Sequence, residues 1–200
     1  MRYRDARAFR MALEQRLNTG AGGDGARLAR DRKRVVFDRL LARLTATAPD
    51  RWLLKGGFAL ELRLAERARA TKDVDLDWLA AEEELLDALL DAAAHDVDDF
   101  FHFLVERTGT PEDRLGGSHR FRVAASLAGR PFETFLLDVG FRREGTAQVE
   151  QLTTPGLLAF AGIAPVKVAA IPLRLEVARL DYELGDAGGG DRHAAPLLGQ

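Results

Sequence analysis

Asp73, Asp75 and Asp77 alternate with Val74, Leu76 and Trp78 between Thr71 and Leu79. Alternation with a period of two is the signature of a strand, and it sets three carboxylates on one face at intervals of about 7 Å. Like charges so arranged repel, and a bound cation is the usual remedy. The chain has no cysteine, and its four histidines (His95, His102, His119, His193) are scattered. Oxygen-only donors of this kind select Mg²⁺ or Mn²⁺. Two aspartates spaced Asp-x-Asp can hold one or two such ions against a triphosphate. Asp138, closing Phe132-Glu-Thr-Phe-Leu-Leu-Asp138 in a second expected strand, is the third carboxylate. It is placed to share the metal and to orient, or take a proton from, an attacking hydroxyl. Taken alone, Asp-x-Asp is more often an acidic surface strand.

Gly56-Gly57 changes that balance. The pair lies between a short apolar run, Arg51 to Lys55, and a helical stretch, Phe58 to Glu66. Glycines there let backbone N–H groups approach phosphate oxygens, and the following helix N-terminus adds a favourable dipole. The order is strand, Gly-Gly, helix, Asp-x-Asp strand, then a distal strand aspartate. It describes a phosphate cradle beside a metal site. With no GxxxxGK[ST] run present, it points to nucleotidyl transfer rather than Walker-type hydrolysis.

The elements that must position these groups follow from periodicity. A helix is expected over Ala6–Leu17 with Phe9, Met11, Leu13 and Leu17 on its apolar side, then a glycine-rich joint from Asn18 to Gly25. A second helix runs over Ala26–Ala48, with Val36, Phe37, Leu40, Leu41 and Leu44 on one face. Its other side carries Arg27, Arg30, Arg34, Arg39 and Arg43, which suits either solvent or nucleic acid. An acidic helix is expected over Glu82–Ala94. Strands are expected over Phe100–Glu106, Arg120–Leu127 and Phe132–Phe141, with Gly129-Arg130 as a hairpin turn. A short helix over Thr154–Ala161, a strand over Val166–Ile171 and a helix over Leu173–Leu184 follow. From Gly185 onward the composition is loop-like. His102 reads as a packed strand residue, and Trp52 and Trp78 as core. The expected fold is α+β (mixed α/β): N-terminal helices, a small mixed sheet and a short C-terminal region. It divides into residues 1–50 (helical), 51–175 (the catalytic core) and 176–200 (a divergent tail).

Composition bounds the classes available. A hydrophobic share of 46% in 200 residues excludes a disordered chain. No apolar run approaches the roughly 20 residues that cross a bilayer. The charged N-terminus does not read as a signal peptide, so a soluble cytoplasmic domain with no membrane partner is expected. The net charge of −2 conceals a strong segregation. Residues 1–50 hold 12 Arg/Lys against 6 Asp/Glu, whereas Asp73 to Glu106 holds 12 acids and no Lys or Arg. One cationic surface and one carboxylate site are implied.

Leu53-Leu-Lys-Gly-Gly-Phe-Ala-Leu-Glu-Leu-Arg-Leu64 followed by Arg69-Ala-Thr-Lys-Asp-Val-Asp-Leu-Asp77 resembles the core of the AbiEii/AbiGii/MenT nucleotidyltransferase toxins. These are bacterial type IV toxin–antitoxin proteins of the DNA polymerase β-like superfamily. Arg32-Lys-Arg-Val-Val-Phe-Asp-Arg39, the Phe132–Gly140 run and Leu157–Val166 extend the likeness over most of residues 1–175. The resemblance implies that Gly56 and Gly57, with Lys55 and Thr71, contact the nucleotide. It implies that Asp73, Asp75 and Asp138 hold the metal and form the catalytic acids. Thr71 matches a Ser/Thr that the antitoxin can cause to be phosphorylated. The implied reaction transfers a nucleotide from an NTP to RNA, chiefly the tRNA 3′ end, which blocks translation. The implied partners are the NTP, the RNA and a cognate antitoxin.

The departure is C-terminal. Leu180 stands where the family carries a nucleotide-binding lysine. Arg179 is one substitute. In another alignment, Lys167 is that lysine and Asp181 or Glu183 the later acid. A chain lacking the lysine would instead be a non-catalytic binder of antitoxin or RNA. A protein or small-molecule acceptor is the remaining alternative.

Overall fold

A computed structural model describes residues 1–108, 118–142 and 148–174. Helix α1 (Ala6–Ala21) starts at Asp5, whose carboxylate accepts the Ala8 N–H at 2.7 Å, and stops at Gly22 in the left-handed region (φ 58°). Helix α2 (Gly25–Thr47) begins three residues later, capped by Asp24. The joint is therefore confined to Gly22–Asp24: the Gly22 N–H closes α1 on the Asn18 and Thr19 carbonyls, and the Asp24 carboxylate opens α2. Phe9, Leu13 and Leu17 recur every fourth residue and are buried, while Met11, on the opposite side, is 71% exposed. The expected apolar face thus loses Met11.

The remaining elements are β1 (Trp52–Lys55), α3 (Gly56–Leu64), β2 (Asp73–Trp78), α4 (Leu85–Ala94), β3 (Phe101–Thr108), β4 (His119–Leu127), β5 (Arg130–Phe141), β6 (Glu150–Thr153) and β7 (Lys167–Ala170). They form one mixed sheet in the order β3-β4-β5-β2-β1-β7-β6. The fold is mixed α/β, as the sequence pattern implies. Strand β2 lies centrally, antiparallel to β1 and parallel to β5. One hydrophobic cluster runs from Phe9 and Leu13 of α1 through Phe37 and Leu40 of α2 to Trp78, Leu137 and Val168 of the sheet.

Several boundaries differ from expectation for identifiable reasons. The β4–β5 turn is Ala128-Gly129, both at positive φ (53° and 69°), the backbone a two-residue hairpin requires. Arg10 of α1 donates to the Leu127 and Arg130 carbonyls at 2.8 and 3.1 Å, clamping that turn. Residues 154–161 contribute only a single 3₁₀ turn, Ala159–Ala161, and β6 arises from a segment too short and polar to signal a strand. Trp52 and Trp78 are core residues, but His102 is exposed. The helix expected over Leu173–Leu184 and the tail lie almost wholly outside the described residues.

The arginine side of α2 requires a larger correction. Arg34, Arg39 and Arg43 are buried and engaged in ion pairs, facing neither solvent nor a nucleic acid. Arg43 donates both Nη atoms to Asp99 at 2.7 Å and also reaches the Phe101 carbonyl. Arg39 pairs with Asp38, whose other oxygen accepts a hydrogen bond from Thr154 Oγ1. Arg34 Nε meets Glu61 at 2.6 Å. Helix α2 is therefore an internal strut, tied by charge to α3, to the start of β3 and to the loop after β6. Such pairs hold only while both partners are present, since a lone buried charge is strongly destabilising.

Candidate active site

Four side chains lie in one row across four adjacent strands. The registers pair Arg120 of β4 with Asp138 of β5, Asp138 with Asp75 of β2, and Asp75 with Lys55 of β1. The signs run plus, minus, minus, plus. Asp73 and Asp77 flank Asp75 on the same face of β2, one pleat to either side. The sheet thus brings together Lys55, Asp73, Asp75 and Asp138, which are far apart in the chain.

Each carboxylate has a different environment. Arg120 grips Asp138 with Nε and Nη2, both at 2.6 Å, a bidentate pair that holds the guanidinium firmly protonated. Asp77, only 3% exposed, is fixed between Lys55 Nζ and Arg142 Nε, the latter at 3.0 Å. Lys55 is thus engaged with a neighbouring acid. Asp75 has no such clamp. Burial, reinforced by the charge of Asp138, holds its carboxyl above the usual carboxylate range. Lys55 opposes that shift, Asp73 adds to it, and the Gly57 N–H donated to the carboxylate opposes it in turn.

The glycine pair is required by these distances. Gly56 has φ +66°, and a Cβ there would sit 2.2 Å from Asp75 Oδ2. A Cβ on Gly57 would fall 2.7 Å from Thr71 Oγ1. Helix α3 therefore begins directly against the carboxylate strand, with its first N–H groups at the site. Thr71 is half-buried. Its hydroxyl donates to the Asp73 carbonyl at 3.1 Å, and its N–H donates to Glu61 at 3.3 Å. Glu61, 3% exposed, also receives Arg34 and lies 3.4 Å from Arg30 Nε.

Lys167 is not part of this group. It is exposed at the start of β7, which runs parallel to β1 with Ala170 beside Leu54, so it lies toward the opposite end of β1 from Lys55. It lines a small cavity with Thr45 and Trp52 instead. Arg179 and Asp181 lie outside the described residues.

Arg120, Arg142 and Glu61 are the site residues the sequence does not announce. Only the register across β4 and β5 puts Arg120 opposite Asp138, and no local pattern encodes that pairing. A divalent cation suits Asp73 and Asp75: both are oxygen donors on one face of β2, and Asp75 stands in register with Asp138. Among the described residues, no three carboxylate or imidazole groups form a ready-made cage, since Asp138 is turned to Arg120.

The family model for the AbiEii nucleotidyl transferase toxin of type IV toxin–antitoxin systems matches residues 39–173. No curated protein sequence matches. Among solved structures, JHP933 from Helicobacter pylori aligns at 14% identity and a TM-score of 0.45, over 73% of this chain and 55% of that one. A second H. pylori protein, described as a candidate nucleotidyltransferase, aligns at 14% identity and a TM-score of 0.42, over 72% and 56%. The chain thus spans little more than half the length of these two proteins. The family match contains β1, the glycine pair, the Asp-x-Asp strand and Asp138 together, and the chain belongs to the AbiEii nucleotidyltransferase toxin family.

Proposed function

We propose that this chain transfers a nucleotide from an NTP to RNA, with the 3′ end of tRNA as acceptor, and thereby inhibits translation under the control of a cognate antitoxin. The observation that carries this reading is the in-register pair Asp75–Asp138 beside the Gly57 N–H at the start of α3. Carboxylates and backbone donors then flank one point where a triphosphate and a hydroxyl can meet. Gly56 and Gly57 border the phosphate oxygens with the α3 dipole behind them, the Gly57 N–H passing from the Asp75 carboxylate to a phosphate oxygen as the nucleotide binds. Lys55 and Thr71 border the same place. Asp73 and Asp75, with Asp138, hold Mg²⁺ or Mn²⁺, which when bound neutralises the triphosphate and lowers the charge repulsion of the site.

The terminal ribose hydroxyl oxygen forms the new bond to the α-phosphorus. The bond to the bridging oxygen breaks, pyrophosphate leaves, and Asp138 takes the hydroxyl proton. For this, Asp138 must leave Arg120, whose guanidinium becomes available to the phosphates. Residues 51–175 form the catalytic unit and residues 1–50 its brace, with no helix among the described residues long and apolar enough to cross a membrane. The expected place of action is the cytoplasm.

The Arg120–Asp138 clamp favours one second reading, a family member that binds RNA or antitoxin without turnover. Incubation with total tRNA, Mg²⁺ and each labelled NTP separates the two. Label should appear in tRNA with the wild-type chain and vanish with Asp73→Ala. Label confined to protein or small acceptors would overturn the RNA assignment, and no label at all would favour the binder.

A further inference from the structure

Most arginines of α2 are committed to internal ion pairs, but a separate group of exposed cations stands on the connector between α3 and β2. An open cleft of about 520 Å³ runs along α3 from Gly57 past Leu60 to Leu64 and is closed on its other side by Arg67, Arg69 and Lys72. That volume is in the range of about 300–1,000 Å³ usual for ligand sites. Residues 57, 60 and 64 share one helix face, so the cleft is about 10 Å long. Its apolar wall is not closed off, since Leu64 is 43% exposed. Arg67, Arg69 and Lys72 are exposed, and among the described residues none of their side chains makes a hydrogen bond or ion pair. One end of the cleft is Asp73.

The connector is held firmly from behind. Arg30 of α2 donates to the Ala68 carbonyl, and Glu61 of α3 accepts the Thr71 N–H. Three exposed cations on a braced loop stand opposite an apolar wall, and the cleft between them ends at a carboxylate of the site. Nucleic acid meets each of these features at once: phosphates for the cations, a base face for the leucines, and a reactive terminus that reaches the carboxylates. We infer that this cleft seats the last nucleotides of the acceptor strand, with Arg67, Arg69 and Lys72 binding its phosphates and Leu60 and Leu64 supporting a base. This assignment rests on the RNA-acceptor reading above and adds to it the place where the acceptor lies.

The test uses the full chain, a 5′-fluorescein-labelled 12-nucleotide single-stranded RNA and, as comparator, fluorescein-labelled polyglutamate of equal charge. Anisotropy titrations compare the wild type with Arg67→Gln/Arg69→Gln/Lys72→Gln. The expected result is at least tenfold weaker RNA binding by the triple variant. Its salt dependence should fall by a log–log slope of about 2, as expected for three lost phosphate contacts on a single strand. Binding of an NTP analogue with Mn²⁺, read by calorimetry, should stay within twofold of wild type. Arg67→Lys/Arg69→Lys should restore most of the RNA affinity. Because these side chains hold no partner among the described residues, the melting temperature of the triple variant should not change.

RNA binding that survives the triple substitution overturns the cleft assignment alone. Loss of the NTP analogue in place of RNA reassigns the cleft to the donor triphosphate and overturns it too. Polyglutamate bound as tightly as RNA would make the cleft a dock for an acidic protein segment. A wild type that binds no RNA removes the RNA-acceptor reading itself.

Discussion

Asp75 and Asp138 are register partners across the parallel β2–β5 pair, yet Arg120 clamps only Asp138. The unclamped Asp75 is held above the ordinary carboxylate range by burial and by its neighbour's charge. A carboxyl raised in the folded state binds more protons there than in the unfolded chain. Its contribution therefore favours folding below the unfolded value and is lost as pH rises through the folded one.

Asp75→Asn should consequently stabilise the protein while removing nucleotide transfer. At pH 7 the melting temperature should rise by about 2–4 °C, the shift that about 1 kcal/mol produces in a chain of this length. The gap to wild type should narrow as pH falls toward 4. A variant that melts below wild type at pH 7 would show that Asp75 is not under electrostatic strain.

Mg²⁺ or Mn²⁺ should raise the melting temperature of the wild-type chain, because an ion that binds only the folded state stabilises it by mass action. Asp73→Ala should lose that response, and Asp75→Asn should lose most of it. Differential scanning fluorimetry across a metal titration is sufficient. An equal response in Asp73→Ala would place the ion elsewhere.

Gly56→Ala should be disabling. The added Cβ would meet Asp75 Oδ2 at 2.2 Å, at a backbone φ that side chains seldom adopt. Relief requires moving either the start of α3 or the carboxylate. A stability loss of about 1–3 kcal/mol is expected, together with loss of label transfer to tRNA. Near-wild-type transfer would mean that α3 can retreat without disturbing the site.

Glu61→Gln tests the brace. The substitution leaves Arg34 and Arg30 without the carboxylate they share, while Arg34 keeps Asp31 at 3.0 Å, so a loss of about 1–3 kcal/mol is expected by urea unfolding. Arg34→Met combined with Glu61→Met should recover part of that loss. The Thr71 N–H loses its charged acceptor as well, so transfer should fall further than stability alone explains. Equal stability of single and double variants would show that the pair does not couple α2 to α3.

The positions of the candidate site's carboxylates and glycines were more legible in the sequence than their supports. Asp73-x-Asp75 and Gly56-Gly57 are local patterns, readable from a period of two and from a glycine turn before a helix. The third acid, Asp138, followed from strand content and family likeness. Its partner Arg120 depends on register between β4 and β5, which no local pattern fixes. The arginines of α2 were misjudged for a related reason. Helical spacing identifies the face on which Arg34, Arg39 and Arg43 lie, but their partners Glu61, Asp38 and Asp99 become partners only after packing. Met11 was misplaced and β6 missed because one apolar side chain, or four half-polar residues, carry too little pattern.

The placement of β5 beside β2 has a consequence for synthesis. Chain order delivers the glycine pair and Asp75 early, whereas Asp138 arrives with a strand that must slot in on the far side of β2. Thr154, which hydrogen-bonds Asp38 of the strut, emerges later still. A chain still emerging from the ribosome therefore carries half a site on an unbraced sheet. If the chain transfers nucleotides as proposed, that capacity is acquired in one step, when β5 pairs with β2, and a chain that has not reached Asp138 lacks it.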